Sequence, residues 1–374
     1  MQGGIKLSLR IGSVPEPACQ EVVEALASAK VEAGAGESQA GFELAFDLSP
    51  RSPLRTQFLL NGGRSLKLMR VVLVVRIGGH AEQVIDGVTT NVETQPGEGG
   101  VSKLIVKGKD LSALMDIDER PGIPYRAMSR AERVKRVLER YAAFGVKPLV
   151  IPSIVEDTPS PTDRIPQQRG SDYAYVKRLA REAGYVFYLE PGPEPATSKA
   201  YWGPEIRDGQ PQPALSVNMG ALTNVEQLSF NFEKESKTVP IAYYQEPSSK
   251  EPIGVPVPGI LPLNPPLGQV PPLPARTVNL DNTAHLSSQS AQMAALAYAG
   301  QNSDSVSGTG SLDVARYGRL LKSRQLVGVR GAGLPFDGLY YVKSVSHDIK
   351  RGEYKQSFTL ARNGLVSTVE TVPV

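Results

Sequence analysis

Residues 171–192 read SDYAYVKRLAREAGYVFYLEPG, an amphipathic helix that runs directly into an aromatic strand. Ser171 is placed to cap the helix, and Asp172 stands where the helix dipole favours a negative charge. Ala174, Tyr175, Leu179 and Ala183 keep one side apolar, while Lys177, Arg178, Arg181 and Glu182 lie largely off it. Gly184 can take the left-handed conformation that ends helices, and residues 185–189 then form a strand closed by Pro191-Gly192. The stretch holds no pair of groups poised for chemistry. It reads as an architectural part.

Working outward, residues 1–110 have the pattern of antiparallel β-structure. Phe42, Leu44, Phe46 and Leu48 alternate with Glu43, Ala45 and Asp47. Further strands fall at 69–77, at 83–94 with an interruption at the turn dipeptide Asp86-Gly87, and at 101–107. Short strands at turn-marked spacing suggest a small barrel or sandwich. In 111–200 the character changes. Ser129 and Glu132 make a capping box, and Val134, Leu138 and Tyr141 give a helical stripe that ends at Gly145. Residues 222–245 return to β-pattern.

Ten prolines then stand between Pro247 and Pro274, interleaved with Ile, Val and Leu. Proline lacks a ladder donor and stiffens the chain, so this segment is read as an apolar strap laid on a surface. An Ala-rich helix at about 286–299 and a Ser/Gly-rich loop at 301–310 follow. Strands at 339–342, 345–349 and 354–360 complete the pattern, the last two joined by the turn 350–353.

The 374-residue length exceeds one ordinary core, which implies several domains. Abundant Gly and Pro favour turns and β-structure over long helices. A net charge of +3 is too small to mark a nucleic-acid binder. Cys19 alone rules out an intrachain disulfide and any multi-cysteine metal site. No basic start followed by an apolar run marks a signal peptide, and 71–75 is far too short to span a bilayer.

Candidate chemistry is sparse. His80, His285 and His347 fall in three different regions and form no ligand set; each reads as a structural or surface histidine. Asp116, Asp118 and Glu119 lack the glycine and further oxygen donors of a calcium loop and read as a solvated turn. Glu132, Asp172 and Glu182 are the carboxylates a wall hydrolase would draw on, but each has a capping or helix-surface explanation. No nucleophile elbow, phosphate loop or dinucleotide fingerprint occurs. No catalytic residue, metal or cofactor is therefore expected. Two acid-free basic stretches stand out: Arg51, Arg55, Arg64, Lys67, Arg70 and Arg76, then Arg316, Arg319, Lys322, Arg324 and Arg330. They suit contact with an acidic protein ring or with nucleic acid passing nearby, or else an outward face carrying ordinary solubility charge. Few aromatics accompany them, which disfavours nucleic-acid readout.

Four motifs in order carry a resemblance: KGKDLSALMD at 107–116, the 171–192 stretch, Gly308–Asp313 with Arg316-Tyr-Gly318, and GLYYVKSVSHDIKRGEYKQSFTLAR at 338–362. Together, across residues 20–364, the chain resembles the late control protein D group, the baseplate hub proteins of contractile phage tails and related injection machines. The helix-to-strand piece is similar to one in type VI secretion spike proteins. The resemblance implies an α+β, mostly β chain with two tube-like antiparallel β-barrels: 1–112, and 222–245 with 312–366. A small α+β domain at 113–221 would lie between them, with a Pro-rich strap and helix at 246–311 and a tail at 367–374. It further implies a homotrimer whose six barrels match a hexameric tail tube protein ring while offering three-fold symmetry to a central spike. The spike-fused relatives continue into further domains, whereas this chain stops at Val374, so a separate spike protein is expected. Other baseplate proteins would be neighbours, with assembly in the bacterial cytoplasm and residence in a virion tail or injection particle. A hub with peptidoglycan-hydrolase activity and a soluble binding module using the Pro-rich segment are the rival readings.

Overall fold

The computed structural model describes residues 5–34, 39–49, 52, 54, 58, 60–61, 64–65, 69–96, 102–153, 158, 161–162, 165–246, 248–255, 265–281, 283–284, 286–369 and 372. The chain is mostly β, with a few helices: Arg130–Leu138 and Asp172–Ala183 lie mid-chain, while Gln20–Ala25 and Ser288–Gln301 lie nearer the ends. Alternation decides the strands. In Gly41–Leu48 every second side chain is buried, with Leu44 and Phe46 fully enclosed. Each such buried Leu or Phe contributes about 1.5–3 kcal/mol relative to exposure. Arg70–Ile77 departs from alternation, because Val71 to Val75 are all buried.

The two β-rich regions join in one sheet of thirteen strands. Its path starts at Gln227–Phe232 and runs through Val306–Asp313, Glu353–Arg362 and Gly338–Lys350. It then crosses to Leu26–Gly34, Gly41–Leu48, Ser102–Asp110, His80–Pro96, Arg70–Ile77 and Lys6–Gly12, ending on the short Glu16–Pro17. The Gly338–Lys350 strand makes the join. Its first residues pair with Leu326–Arg330, its register shifts between Val342 and Ser344, and residues 344–350 then pair with residues 28–34. A bulge bends a strand and strengthens its twist, so it suits the point where one strand changes partner. One continuous core cluster draws Leu44, Phe46, Leu73 and Leu104 from the N-terminal half and Tyr340, Phe358 and Leu360 from the other.

The middle unit has its own core. A three-stranded sheet places Ser198–Gly203 between a parallel Val146–Val150 and an antiparallel Val186–Pro191. The helices Arg130–Leu138 and Asp172–Ala183 share a core cluster with it, which includes the fully buried Trp202. Both helices start as the sequence indicates. Ser129 and Glu132 form the reciprocal capping box, and Ser171 Oγ accepts from the Ala174 amide at 3.1 Å. Gly184 ends the second helix at φ +69°. A Cβ there would also stand 2.5 Å from the Ala297 Cβ, since the helix Ser288–Gln301 packs against this end.

Three local expectations change. Ala174 is exposed, and the buried side of its helix is Tyr175, Val176, Leu179, Ala180 and Ala183. Asp86-Gly87 is no turn: His80–Pro96 runs through it, and a Cβ at Gly87 would come within 2.2 Å of the Lys109 carbonyl. The turn lies at Gly78-Gly79, both left-handed at φ +57° and +89°. The expected 301–310 loop is a loop only at its start. Val306–Asp313 is a full strand whose Gly308 and Gly310 leave room for the rings of Phe230 and Phe358.

Thr238–Gln245 leaves the main sheet and pairs with Pro252–Val255 and Arg276–Asn279. Helix Ser288–Gln301 covers this small sheet through Ala291 and Ala295, packed on Ala242 and Val255. The Pro-rich strap is tied down at its far side, where Gly268–Val270 pairs with Leu365–Ser367 and Asn363 accepts from the Leu267 and Gly268 amides. Its residues 256–264 lie outside the described residues.

Candidate functional site

The best-built polar groups of this chain clasp one part of the fold to another. Arg70, placed by a strand of the main sheet, is 7% exposed and forks onto buried Asp86, Nε to Oδ1 at 2.7 Å and Nη2 to Oδ2 at 2.6 Å. The same Nη2 donates to the Ala196 carbonyl at 2.8 Å, and Ser198 Oγ donates to Asp86 at 3.0 Å. Gln83 completes the grip, accepting from the Ala196 amide and donating to the Thr197 carbonyl. One turn of the middle unit, with Ala196 at φ +62°, is thus held by the N-terminal sheet. On the other side, Arg207 pairs with Asp304 and lies over the Tyr341 ring, while Lys343 reaches Asp304 at 2.7 Å.

Asp172 stands at the centre of the middle unit. Its carboxylate is fully enclosed and accepts from Arg140 at 2.7 Å, Tyr141 at 2.7 Å and Gln168, with Arg120 at 3.4 Å. Burial alone would raise its pKa. The hydrogen bonds from Gln168 and Tyr141 and the charge of Arg140 outweigh burial and hold it below the usual carboxylate range. The helix dipole foreseen for Asp172 is therefore joined by a buried ion-pair network that no local pattern announces.

The four sequence motifs resolve into similar structural duties. Gly108 leaves the space that Phe42 and the Val88 carbonyl occupy, and Asp110 caps the turn Leu111–Asp116 while accepting from the Ala40 amide at 2.7 Å. Desolvation by burial pushes the Asp110 carboxyl up, against the hydrogen bonds it accepts from Ser112 and Ala40. Asp313 caps Val314–Tyr317, Gly318 ends it at φ +80°, and Tyr317 donates to the Pro213 carbonyl at 2.6 Å. In the last motif, buried His347 lies 2.8 Å by Nδ1 from the Tyr354 hydroxyl. Arg362 is fully buried and donates to the carbonyls of Gly364, Asp337 and Pro335, with no carboxylate in ion-pair contact among the described residues.

The expected basic surface is divided. Arg70 belongs to the interior and cannot face a partner. Arg316 and Arg319 are exposed beside the Gly318 turn; Lys322 pairs with Glu82 at 3.1 Å; Arg324 lies 4.0 Å over the Tyr188 ring. Arg51, Arg55 and Lys67 lie outside the described residues, as does His285, and Arg64 is described only as part of a two-residue strand. Asp116, Asp118 and Glu119 are exposed, and Ser171 Oγ donates to Asp116. No group of three metal-ligating side chains occurs among the described residues. Among them, too, no helix is long and apolar enough to cross a membrane.

No protein-family model matches the sequence, and no curated protein is significantly similar to it. Solved structures are. The tail protein of Neisseria meningitidis MC58 superposes with a TM-score of 0.63 at 13% identity, over 97% of this chain and 98% of that one. The 43 kDa tail protein of prophage MuSo2 from Shewanella oneidensis gives 0.57 at 13% identity, over 96% and 98%. The half-lidded Francisella PdpA-VgrG complex gives 0.54 at 9% identity, over 99% of this chain and 60% of that chain. The chain thus shares its fold with two tail proteins and with a chain of the PdpA-VgrG complex.

Proposed function

We propose that this protein is a structural baseplate hub of a contractile tail or injection machine: a homotrimeric ring joining a hexameric tail tube to a trimeric central spike made by a separate chain. The observation that carries the proposal is the fold shared with two tail proteins, one of them of a prophage, over nearly the whole of both chains. The side chains favour the same reading. Motif residues serve as caps, clasps and spacers, and the three carboxylates open to a hydrolase are all engaged. Glu132 sits in a capping box, Asp172 in its buried network, and Glu182 against Arg130 and Arg178.

The sheet offers a physical route to a ring. Its path ends on one side at Gln227–Phe232 and on the other at Lys6–Gly12, where residues 9–11 are covered by residues 16–18. Open edges are templates for pairing with another chain, and head-to-tail contacts that close generate cyclic oligomers. In this reading the two halves of the sheet act as the two tube-like units of each subunit, giving six around three chains. The domain limits at 112, 221, 245, 311 and 366 belong to the same proposal, as does residence in a virion tail or injection particle. Exposed Arg316 and Arg319 are the basic residues offered to the tube ring. Light scattering on the purified protein is expected to give three times the 40.2 kDa chain mass. A monomer at every concentration and salt tested would overturn the ring.

A further inference from the structure

A cleft of about 320 Å³ opens in the middle unit, away from the main sheet. It is lined by Arg130, Arg133, Arg169, Arg178, Leu179 and Glu182, together with residues 165–167. Among the described residues, four guanidinium groups and one carboxylate line it, in a chain whose net charge is only +3. That carboxylate is already shared: Glu182 lies 3.6 Å from Arg130 and 3.8 Å from Arg178. Arg133 is only 5% exposed, donating by Nε to the Ser129 carbonyl and by Nη1 to the Tyr175 hydroxyl, both uncharged. Among the described residues no carboxylate lies within ion-pair distance of Arg133 or of the exposed Arg169. Burying a guanidinium is costly unless a counter-charge compensates it.

We infer that this cleft binds an acidic peptide segment of a partner protein, with side-chain carboxylates seated between Arg133, Arg169 and Arg178. Guanidinium forks match carboxylates in a bidentate way, and a partly desolvated site strengthens each pair. The cleft can take a few side chains, and Leu179, Ile165 and Pro166 give its occupant apolar contact. Among the described residues its lining has no aromatic ring on which bases could stack, which sets it apart from a single-strand nucleic-acid groove. None of these residues belongs to the two basic stretches that sequence patterning singles out. The inference does not depend on the oligomeric state of the chain.

The test uses the full-length protein and a fluorescein-labelled peptide carrying three glutamates, followed by fluorescence anisotropy at low and high salt. Its glutamine counterpart and an oligothymidylate of equal charge are the comparisons. Arg169 and Arg178 are exposed, so Arg169→Glu/Arg178→Glu keeps the fold, which its melting curve checks. The acidic peptide is expected to bind in a salt-sensitive way, the glutamine peptide not to bind, and the double variant to lose at least about tenfold in affinity. No binding of the acidic peptide, undiminished binding by the double variant, or preference for the oligothymidylate would each overturn the assignment.

Discussion

His347 makes stability depend on pH at the seam between the two halves of the sheet. It lies opposite Val31 in the pairing that joins them, 7% exposed, with Nδ1 2.8 Å from the Tyr354 hydroxyl and 3.4 Å from Gln356 Nε2. Gln356 Nε2 can only donate, so Nδ1 is the acceptor and the neutral ring carries its proton on Nε2. Desolvation by burial lowers the pKa from 6.5 to about 4. Between those values the unfolded chain takes up a proton that the folded chain refuses. Stability is therefore full above pH 6.5, falls as the pH drops toward 4, and levels off below that. Linkage puts the loss between pH 7.5 and 5 at about 2 kcal/mol, which for a chain of this length is about 2–3 °C in Tm. Most carboxylates are still ionised at pH 5, and Asp110, whose carboxyl burial pushes up, is shared by wild type and variant and so cancels in their difference. His347→Asn keeps an acceptor near Nδ1 but cannot titrate. It is expected to be less stable at pH 7.5, from lost packing, yet to lose about 2 kcal/mol less than wild type between pH 7.5 and 5. Parallel pH dependence of Tm in wild type and variant, measured by calorimetry, would refute the reasoning.

Arg70→Leu leaves Asp86 buried without its partner and should cost about 3–5 kcal/mol in chemical denaturation, whereas Arg70→Leu/Asp86→Leu should recover much of that. Gly108→Ala, whose Cβ would meet Phe42 and the Val88 carbonyl at 2.3 Å, should destabilise more than Gly352→Ala, at a turn with φ +79° and open space around it. Thermal melts of the two variants compare them directly. Asp172→Asn should cost several kcal/mol at pH 7, because Arg140 and Arg120 lose their charge partner. The stability that Asp172 contributes is present above its ordinary value of 3.8 and is lost as the pH falls below it, so the variant should show a flatter acid limb in the same melts.

Strands with one buried face and helices with side-chain caps were legible in the sequence, because their signals are local. Phe42 to Leu48 alternate, and Ser129, Glu132, Ser171 and Gly184 mark helix ends wherever they occur. Glycine was harder to read, since the same residue serves a turn or a close approach. Asp86-Gly87 has the composition of a turn, yet Gly87 is there because the Lys109 carbonyl is close and Asp86 because Arg70 is. Gly308 and Gly310 look like loop residues until Phe230 and Phe358 lie over them. The pairing of 344–350 with 28–34 joins segments more than 300 residues apart and leaves no local trace. Charge was the least legible. Arg70 reads like its outward neighbours but is buried, and the four arginines of the cleft come from elements spread over 130–182.

The hub reading is tested most directly by imaging the purified protein by electron microscopy and averaging the views along the particle axis. The account predicts three-fold particles with a central channel and six density lobes around it, two from each chain. Particles of a single chain, or a dimer with no ring under any assembly condition, would contradict it.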